Sequence, residues 1–289
     1  FIRKLEKSLP PGFNGILGNM ARYLVKLSRP DGSLPAFGEV SQSRKSLATR
    51  ARVNSVVEFI GDKGDLLWYA TDGEEGEVPK YTSAALDWAG YYTMRTGWDE
   101  DALYMVMKAG PYGAAHQNED KLNFELYAYG QLFFIDPGYY IYNASSPWRK
   151  YFVSSLAHNT VVPDGLTQYR RNESHLWVNK EPNDAIWISE EGYDFVSGKY
   201  DSGYGDFMHL FEKHSQQKLY ISHQRDVLFI KPELWLIIDW MVPKDDDEHT
   251  YDALFQSLFP ISLDKYGFTI RGGKASLEIL PVGSNDLDM

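Results

Sequence analysis

GPYGAAHQNEDKLNFELYAYGQLFFIDPGYYIYNASSPWRKYFVSSLAHN, residues 110–159, sets polar and ionisable side chains between strand-like runs. His116 and Asn118 lie two apart in a polar loop, so extended backbone carries their side chains to one side. Residues 121–129 predict a strand, with Leu122, Phe124, Leu126 and Ala128 alternating against Asn123, Glu125, Tyr127 and Tyr129. A second, short apolar strand is predicted over 131–135, closed by the turn signal Asp136-Pro137-Gly138. A carboxylate ending an apolar strand demands a partner: backbone N–H groups, a cation or a metal. His158-Asn159 follows a small-residue turn and opens a further strand over 160–162. The short connection Tyr129-Gly130-Gln131 makes the first two strands hairpin neighbours. Asn118 and Asp136 then fall at one end of that hairpin. The order allows positions 116, 118, 136 and 158 to meet.

Outward from this stretch the hydrophobic period stays at two. Further strands are expected over 91–98, 102–108, 185–189, 194–200, 218–222, 226–230 and 234–240, the last two forming a hairpin that turns at Lys231-Pro232. Many strands joined by short turns, without intervening helices, predict antiparallel sheets packed face to face. Arg95, in the middle of the 91–98 run, is expected to face outward. Residues 245–248 read as a solvated acidic loop.

Before residue 72 the period is helical. Phe13, Ile16, Leu17, Met20, Leu24 and Leu27 form one stripe between Pro10-Pro11 and Pro30-Asp31-Gly32. A second helix is expected over 47–60, with Ala48, Ala51, Val53, Val56, Val57 and Ile60 on its apolar side, and a short third over 63–69. The acidic, glycine-containing run 72–79 reads as a linker. The reading is a mixed α and β, multidomain chain: a helical segment over 1–79 and a large antiparallel β-sandwich over 80–289.

Composition supports a packed core and narrows the partners. The chain has 289 residues, 43% hydrophobic and 15% aromatic, with 20 Tyr and 8 Trp. These rings suit sheet packing, and flat rings also suit pyranose faces. A net charge of −11 argues against nucleic acid, and a sulfated polyanion would need a local basic groove. No 18-residue apolar run predicts a membrane span, and the absence of cysteine removes disulfides and thiolate metal sites. The chain opens on Phe1 without a signal peptide, which reads as a fragment or a processed chain.

The 110–159 stretch resembles the heparinase II/III-like family of polysaccharide lyases. The residues that carry the likeness are Gly110–Gly113, His116-Gln117-Asn118-Glu119-Asp120, Tyr129-Gly130, Asp136-Pro137-Gly138 and His158-Asn159-Thr160-Val161. The resemblance implies that residues 1–79 are the tail of an incomplete α/α toroid, followed by the sandwich. It implies cleavage of a uronic-acid-containing polysaccharide by β-elimination. His116 would be catalytic, and Tyr112, Gln117 and Arg149 would contact substrate. It also implies a zinc site at Asn118, Asp136 and His158. Asn118 stands where relatives carry a second histidine, and a neutral amide binds zinc more weakly than imidazole. The reading without an ion has Asp136 accepting hydrogen bonds from His158 and Asn118. An Asn and a Tyr from the toroid lie upstream in the family and have no counterpart in residues 1–80, so this chain alone is expected to show little lyase activity. The resemblance also implies a periplasmic or secreted location in a bacterium.

Two readings stand from the sequence. One is the carboxy-terminal part of such a lyase, acting on an acidic polysaccharide. The other is a non-catalytic carbohydrate-binding or structural module of the same descent. A glycoside hydrolase needs two carboxylates flanking the sugar; Glu119 and Asp120 are adjacent and point to opposite sides of an extended chain.

Overall fold

The computed structural model describes residues 10–40, 46–111, 116–169, 183–205 and 217–282. Five antiparallel strands make the sheet that carries the site: β1 (Ala84–Leu86), β2 (Tyr91–Arg95), β3 (Tyr104–Lys108), β4 (Phe124–Ala128) and β5 (Gln131–Phe134), side by side in chain order. β4 and β5 are joined through Tyr129 and Gly130, both at positive φ (51° and 75°). This geometry suits a two-residue hairpin whose twist matches its strands, and glycine meets its second position without strain.

Every residue of β3 and β4 is buried, so both faces of this sheet are covered. On one face Tyr92, Met94, Met105, Met107, Phe124 and Leu126 pack with Val196, Val227 and Phe229 of a second sheet. After two short strands, β6 (Val161–Pro163) and β7 (Thr167–Gln168), come β8 (Ile186–Ser189) and β9 (Tyr193–Tyr200). Two bridging strands follow, β10 (Tyr204–Gly205) and β11 (Gln217–Leu219), and then the long hairpin of β12 (Ile221–Ile230) and β13 (Leu234–Pro243). The second sheet runs β13-β12-β9-β8 and is antiparallel throughout. The two sheets approach closely at Gly198, where an added Cβ would lie 2.7 Å from the Ala109 methyl. The sandwich expected from the period-two pattern is present. No parallel pairing occurs among the described strands.

The other face of the five-stranded sheet presents Thr93, Arg95, Tyr104, Val106, Lys108, Glu125 and Tyr127. Its polar content reads as solvent-facing, yet the helical segment covers it. Three helices, α1 (Phe13–Leu27), α2 (Ser46–Ile60) and α3 (Asp65–Ala70), share a small core of Ala21, Val25, Val53, Val57, Leu66 and Tyr69. Leu27 and Phe37 then pack on Tyr104, Val106 and Tyr127 of the sheet. The expectation for Arg95 is therefore corrected. It is fully buried, and its Nη2 donates to the carbonyls of Lys26 and Ser28 at 2.9 Å each. The guanidinium lies 4.2 Å from the Trp98 ring centroid and 5.0 Å from that of Tyr104. A helix end leaves carbonyls without partners, and a cation there also meets the negative end of the helix dipole. Arg29 makes a second tie, bonding the buried Glu125 carboxylate at 2.6 and 2.9 Å.

Two further differences from the sequence reading stand out. Most of the stripe on α1 is not the buried face: Gly18, Ala21 and Val25 are buried with Leu27, the one buried member of the stripe, while Ile16 and Met20 are exposed. Small residues let α1 close on α2, with the Ile60 side chain 3.4 Å from where a Gly18 Cβ would sit. A seven-residue helix, α4 (Pro147–Val153), also interrupts the β half, with Pro147 in its first turn. Proline suits that position because its missing N–H has no intrahelical partner to lose. Past residue 243 the described residues form four short strands: β14 (Tyr251–Ala253), β15 (Ile261–Leu263), β16 (Phe268–Arg271) and β17 (Ser276–Ile279). β14 pairs with β6 and the other three form their own sheet. No described helix is long and apolar enough to cross a membrane.

Candidate functional site

The end of β5 delivers Asp136 into the protein interior, fully buried. Its Oδ1 accepts from the Gly138 N–H at 2.7 Å and its Oδ2 from the Asn123 amide at 2.5 Å. His158 reaches the same Oδ2 through Nδ1 at 3.1 Å. Burial works against a charge on this imidazole, but the adjacent Asp136 carboxylate outweighs it and holds His158 above the ordinary histidine range. The structure thus brings Asp136 and His158 together. Beside them lies Asp120, whose Oδ1 is 2.5 Å from the ammonium of the buried Lys108. Asp120, Asp136 and His158 each offer one ligand atom, and these atoms lie within 4.8 Å of one another.

Among the described residues, Oδ2 of Asp120 and Nε2 of His158 are buried without a hydrogen-bond partner, as are both amide atoms of Asn118, two residues before Asp120 in the chain. Buried polar atoms are nearly always partnered, so a group of orphans marks room for an ion or water. Two carboxylates and an imidazole are donors that suit a divalent cation. Sequence reasoning passed over Asp120 in this role. The available signal was its spacing, two residues after Asn118 and so on the same side of an extended segment.

Asn159 holds the neighbouring strands in place. Its amide donates to the carbonyls of Phe124 (2.7 Å) and Ile135 (2.9 Å), and its Oδ1 accepts from the Gln256 N–H (2.6 Å). Its own N–H donates to Asn123 Oδ1 at 2.9 Å. Arg225, from β12 of the second sheet, donates through Nη1 to the carbonyls of Leu122 (2.7 Å) and Asn159 (2.6 Å). Asp239 on β13 accepts from the same guanidinium at 2.8 and 2.9 Å.

A second cluster lies at the surface. The His116 side chain is 69% exposed, and its Nδ1 is 2.8 Å from Glu39 Oε2. Its backbone is left-handed (φ 55°), and its carbonyl accepts from the Glu39 N–H at 2.9 Å. Glycine is required at position 38, where a Cβ would lie 2.6 Å from that carbonyl oxygen. Glu39 Oε1 accepts from Arg149 of α4. Burial opposes ionisation of Glu39, but the donors Arg149 and His116 overcome it and hold the carboxyl below its usual range. Tyr142 stands edge-on to His116 with ring centroids 6.4 Å apart, and the Arg149 guanidinium lies 5.2 Å from its ring. Desolvation and the nearby Glu39 carboxylate raise its phenol above the ordinary tyrosine value.

Of the substrate contacts expected from the sequence, Arg149 is buried and engaged by Glu39, and Gln117 is buried next to His116. Tyr112 lies outside the described residues. Glu39 was not anticipated. It sits in the helical half of the chain, and no local pattern links it to a loop 77 residues away.

A family model described as heparinase II/III-like, C-terminal, matches residues 78–281. The chain belongs to that family. Among this heparinase II/III-like chain's relatives, the heparin-sulfate lyase of Pedobacter heparinus is 29% identical over 242 residues, covering 81% of this chain and 32% of the relative. The heparin-sulfate lyase of Bacteroides thetaiotaomicron is 24% identical over 214 residues, 66% of this chain and 30% of the relative. The solved heparan sulfate lyase HepC from Pedobacter heparinus superposes with a TM-score of 0.75 at 25% identity, over 98% of this chain and 42% of that one. The heparinase II/III-like chain thus spans about a third of the length of the curated relatives it matches.

Proposed function

We propose that this chain is the carboxy-terminal part of a polysaccharide lyase that cleaves a uronate-containing glycosaminoglycan of the heparan sulfate class by β-elimination. In that reaction a base removes the proton on C5, beside the sugar carboxylate. The C5–H electron pair becomes the C4=C5 double bond, the C4–O bond breaks, and the departing oxygen takes a proton from an acid. The observation that carries the reading is His116: a side chain open to solvent, with Nδ1 held by a carboxylate and Nε2 directed away from it. A histidine oriented in this way is suited to proton transfer. Glu39 fixes the ring and Arg149 fixes Glu39. Tyr142, raised above its usual range by desolvation and Glu39, stays protonated at neutral pH and suits a hydrogen-bond or proton donor. Family membership and the lyase names of the relatives support the same reaction class.

Asp120, Asp136 and His158 would hold a divalent cation, aided by Asn118. The cation would supply fixed positive charge that neutralises two buried carboxylates. Asp136 and Asn159 meanwhile fix the ends of β4 and β5 and the turn before β6, a scaffolding role separate from the proton chemistry.

The test is His116→Ala in the complete protein, assayed by the ultraviolet absorbance of the unsaturated uronate product on heparan sulfate. Loss of roughly 10²–10⁴-fold in rate is expected for a proton-transfer residue. Activity within a factor of two of the parent would reject this role for His116.

A further inference from the structure

Six aromatic side chains gather on the loop after β5 and on α4: Tyr139, Tyr140, Tyr142, Trp148, Tyr151 and Phe152. Their rings form two sets, Tyr139 with Tyr142, and Tyr140, Trp148, Tyr151 and Phe152 with one another. Tyr139 and Tyr142 have centroids 4.7 Å apart, Tyr140 stacks on Phe152 at 5.5 Å, and Trp148 lies 6.4 Å from Tyr140 and 6.3 Å from Tyr151. They are not a buried core: Tyr140 is 63% exposed, Trp148 57%, Tyr142 53% and Tyr151 38%. Scattered exposed aromatics need no explanation, but a contiguous group of this kind marks a binding surface. Lys150 is exposed on the same helix, and no carboxylate among the described residues pairs with it.

We propose that this aromatic platform is a glycan subsite, taking pyranose rings of an acidic polysaccharide at a distance from the bond that breaks. The inference rests on the reading of the His116 cluster as the lyase site. Three observations select the occupant. The platform adjoins that cluster through α4: Arg149, next to Trp148 in the chain, bonds Glu39 and lies 5.2 Å from the Tyr142 ring that stands edge-on to His116. A polymer lying across His116 and along α4 therefore meets these rings. The ring faces are electron-rich, and the C–H bonds on one face of a pyranose carry the complementary partial charge. Finally, Lys150 supplies a mobile cation for a carboxylate or sulfate, in a chain whose net charge of −11 otherwise repels such a ligand.

The subsite makes affinity depend on glycan length. In the complete protein carrying His116→Ala, so that bound ligand is not consumed, calorimetry compares a heparan sulfate tetrasaccharide with a dodecasaccharide. Adding Trp148→Ala should weaken the dodecasaccharide about tenfold, or ~1.4 kcal/mol, and leave the tetrasaccharide unchanged. Trp148→Phe, which keeps a ring face, should recover most of the loss. Trp148 is exposed, so truncation should leave the thermal midpoint where it was, and an unchanged midpoint separates lost contact from lost fold. Equal dodecasaccharide affinity with and without Trp148 overturns the subsite, as does an equal loss for both lengths. If His116→Ala still cleaves, the catalytic reading fails by itself. The Trp148 comparison then proceeds as KM on long against short substrate, and a rise confined to the long one still supports the platform.

Discussion

The guanidinium of Arg225 lies 2.6 Å from the main-chain oxygen of Asn159, although one belongs to the second sheet and the other to the loop that carries His158. The same nitrogen bonds the Leu122 carbonyl, where the chain turns through a left-handed φ of 63° just after Asp120. Behind it Asp239 takes both remaining arms of the guanidinium and also accepts His223 Nε2 at 2.7 Å. One buried cation thus locks the two segments that supply Asp120 and His158. Removing it leaves the mostly buried Asp239 carboxylate with His223 alone of these partners and takes this donor from two carbonyls. Arg225→Ala is expected to cost about 3–5 kcal/mol, read from chemical denaturation. A loss below 1 kcal/mol would mean that this lock does not hold the site together.

Much of this lock was hidden in the sequence. Alternation found most of the strands, because period two survives wherever one face of a strand is apolar, as with Phe124, Leu126 and Ala128 on β4. It failed for Arg95 because the pattern reports polarity and cannot tell solvent from a helix end. On β2 the polar side meets α1 carbonyls, whose need for donors is a tertiary fact. A carboxylate at an apolar strand end calls for a partner, and the family resemblance named His158 as one. Asp120 and Glu39 were not legible. Each depends on which distant segment folds against it, Lys108 in one case and the His116 loop in the other. The late strands β14 to β17 are three or four residues long and largely exposed, too short for the alternation of Ile261/Leu263, Phe268/Ile270 and Leu277/Ile279 to stand out.

The Asp136 network predicts a stability effect. Asp136→Ala leaves His158, Asn123 and the Gly138 N–H without their shared acceptor. The expected cost is about 1–3 kcal/mol for a buried group left unsatisfied, read as a shift in denaturation midpoint. An unshifted midpoint would show that water satisfies the cavity.

The orphaned atoms of Asn118, Asp120 and His158 predict a cation. Protein purified without chelator should carry a divalent metal at a substoichiometric level by elemental analysis, and chelation should lower its thermal midpoint. Asn118→His should raise zinc occupancy, since imidazole replaces an amide. Metal binding needs a neutral His158, so affinity should fall as pH drops through the raised pKa of that ring. Absence of metal together with no response to chelator would leave the carboxylates balanced by Lys108 and a protonated His158.

Gly198 predicts an overpacking defect. A methyl there would lie 2.7 Å from Ala109 Cβ and 2.9 Å from Leu122 Cδ2, inside contact distance where the two sheets pack together. Gly198→Ala is expected to destabilise by about 1–3 kcal/mol. Normal stability would mean that the sheets separate more readily than a close-packed interior allows.

His249 gives a pH dependence away from the site. Its Nδ1 is 2.7 Å from Asp164 Oδ2 and its Nε2 is 2.7 Å from Asp245 Oδ1, so the ring bridges the turn after β6 and the loop after β13. Hydrogen bonds to Asp164 and then to Asp245 raise its pKa above the usual histidine value, and both carboxyls are held below theirs. A folded-state pKa above the unfolded one contributes stability that is complete below about pH 6.5 and lost as pH rises through the folded value. The two carboxylates act oppositely: their depressed values contribute above the usual Asp range and are lost in acid. The bridge is therefore strongest between those limits, in mildly acidic solution. Proton NMR titration of the His249 ring should give a midpoint above 6.5, and Asp245→Asn together with Asp164→Asn should bring it back toward that value. His249→Gln should flatten the dependence of stability on pH between about 5 and 8. A His249 midpoint at or below 6.5 in the parent would show that the ring is not held between these carboxylates in solution.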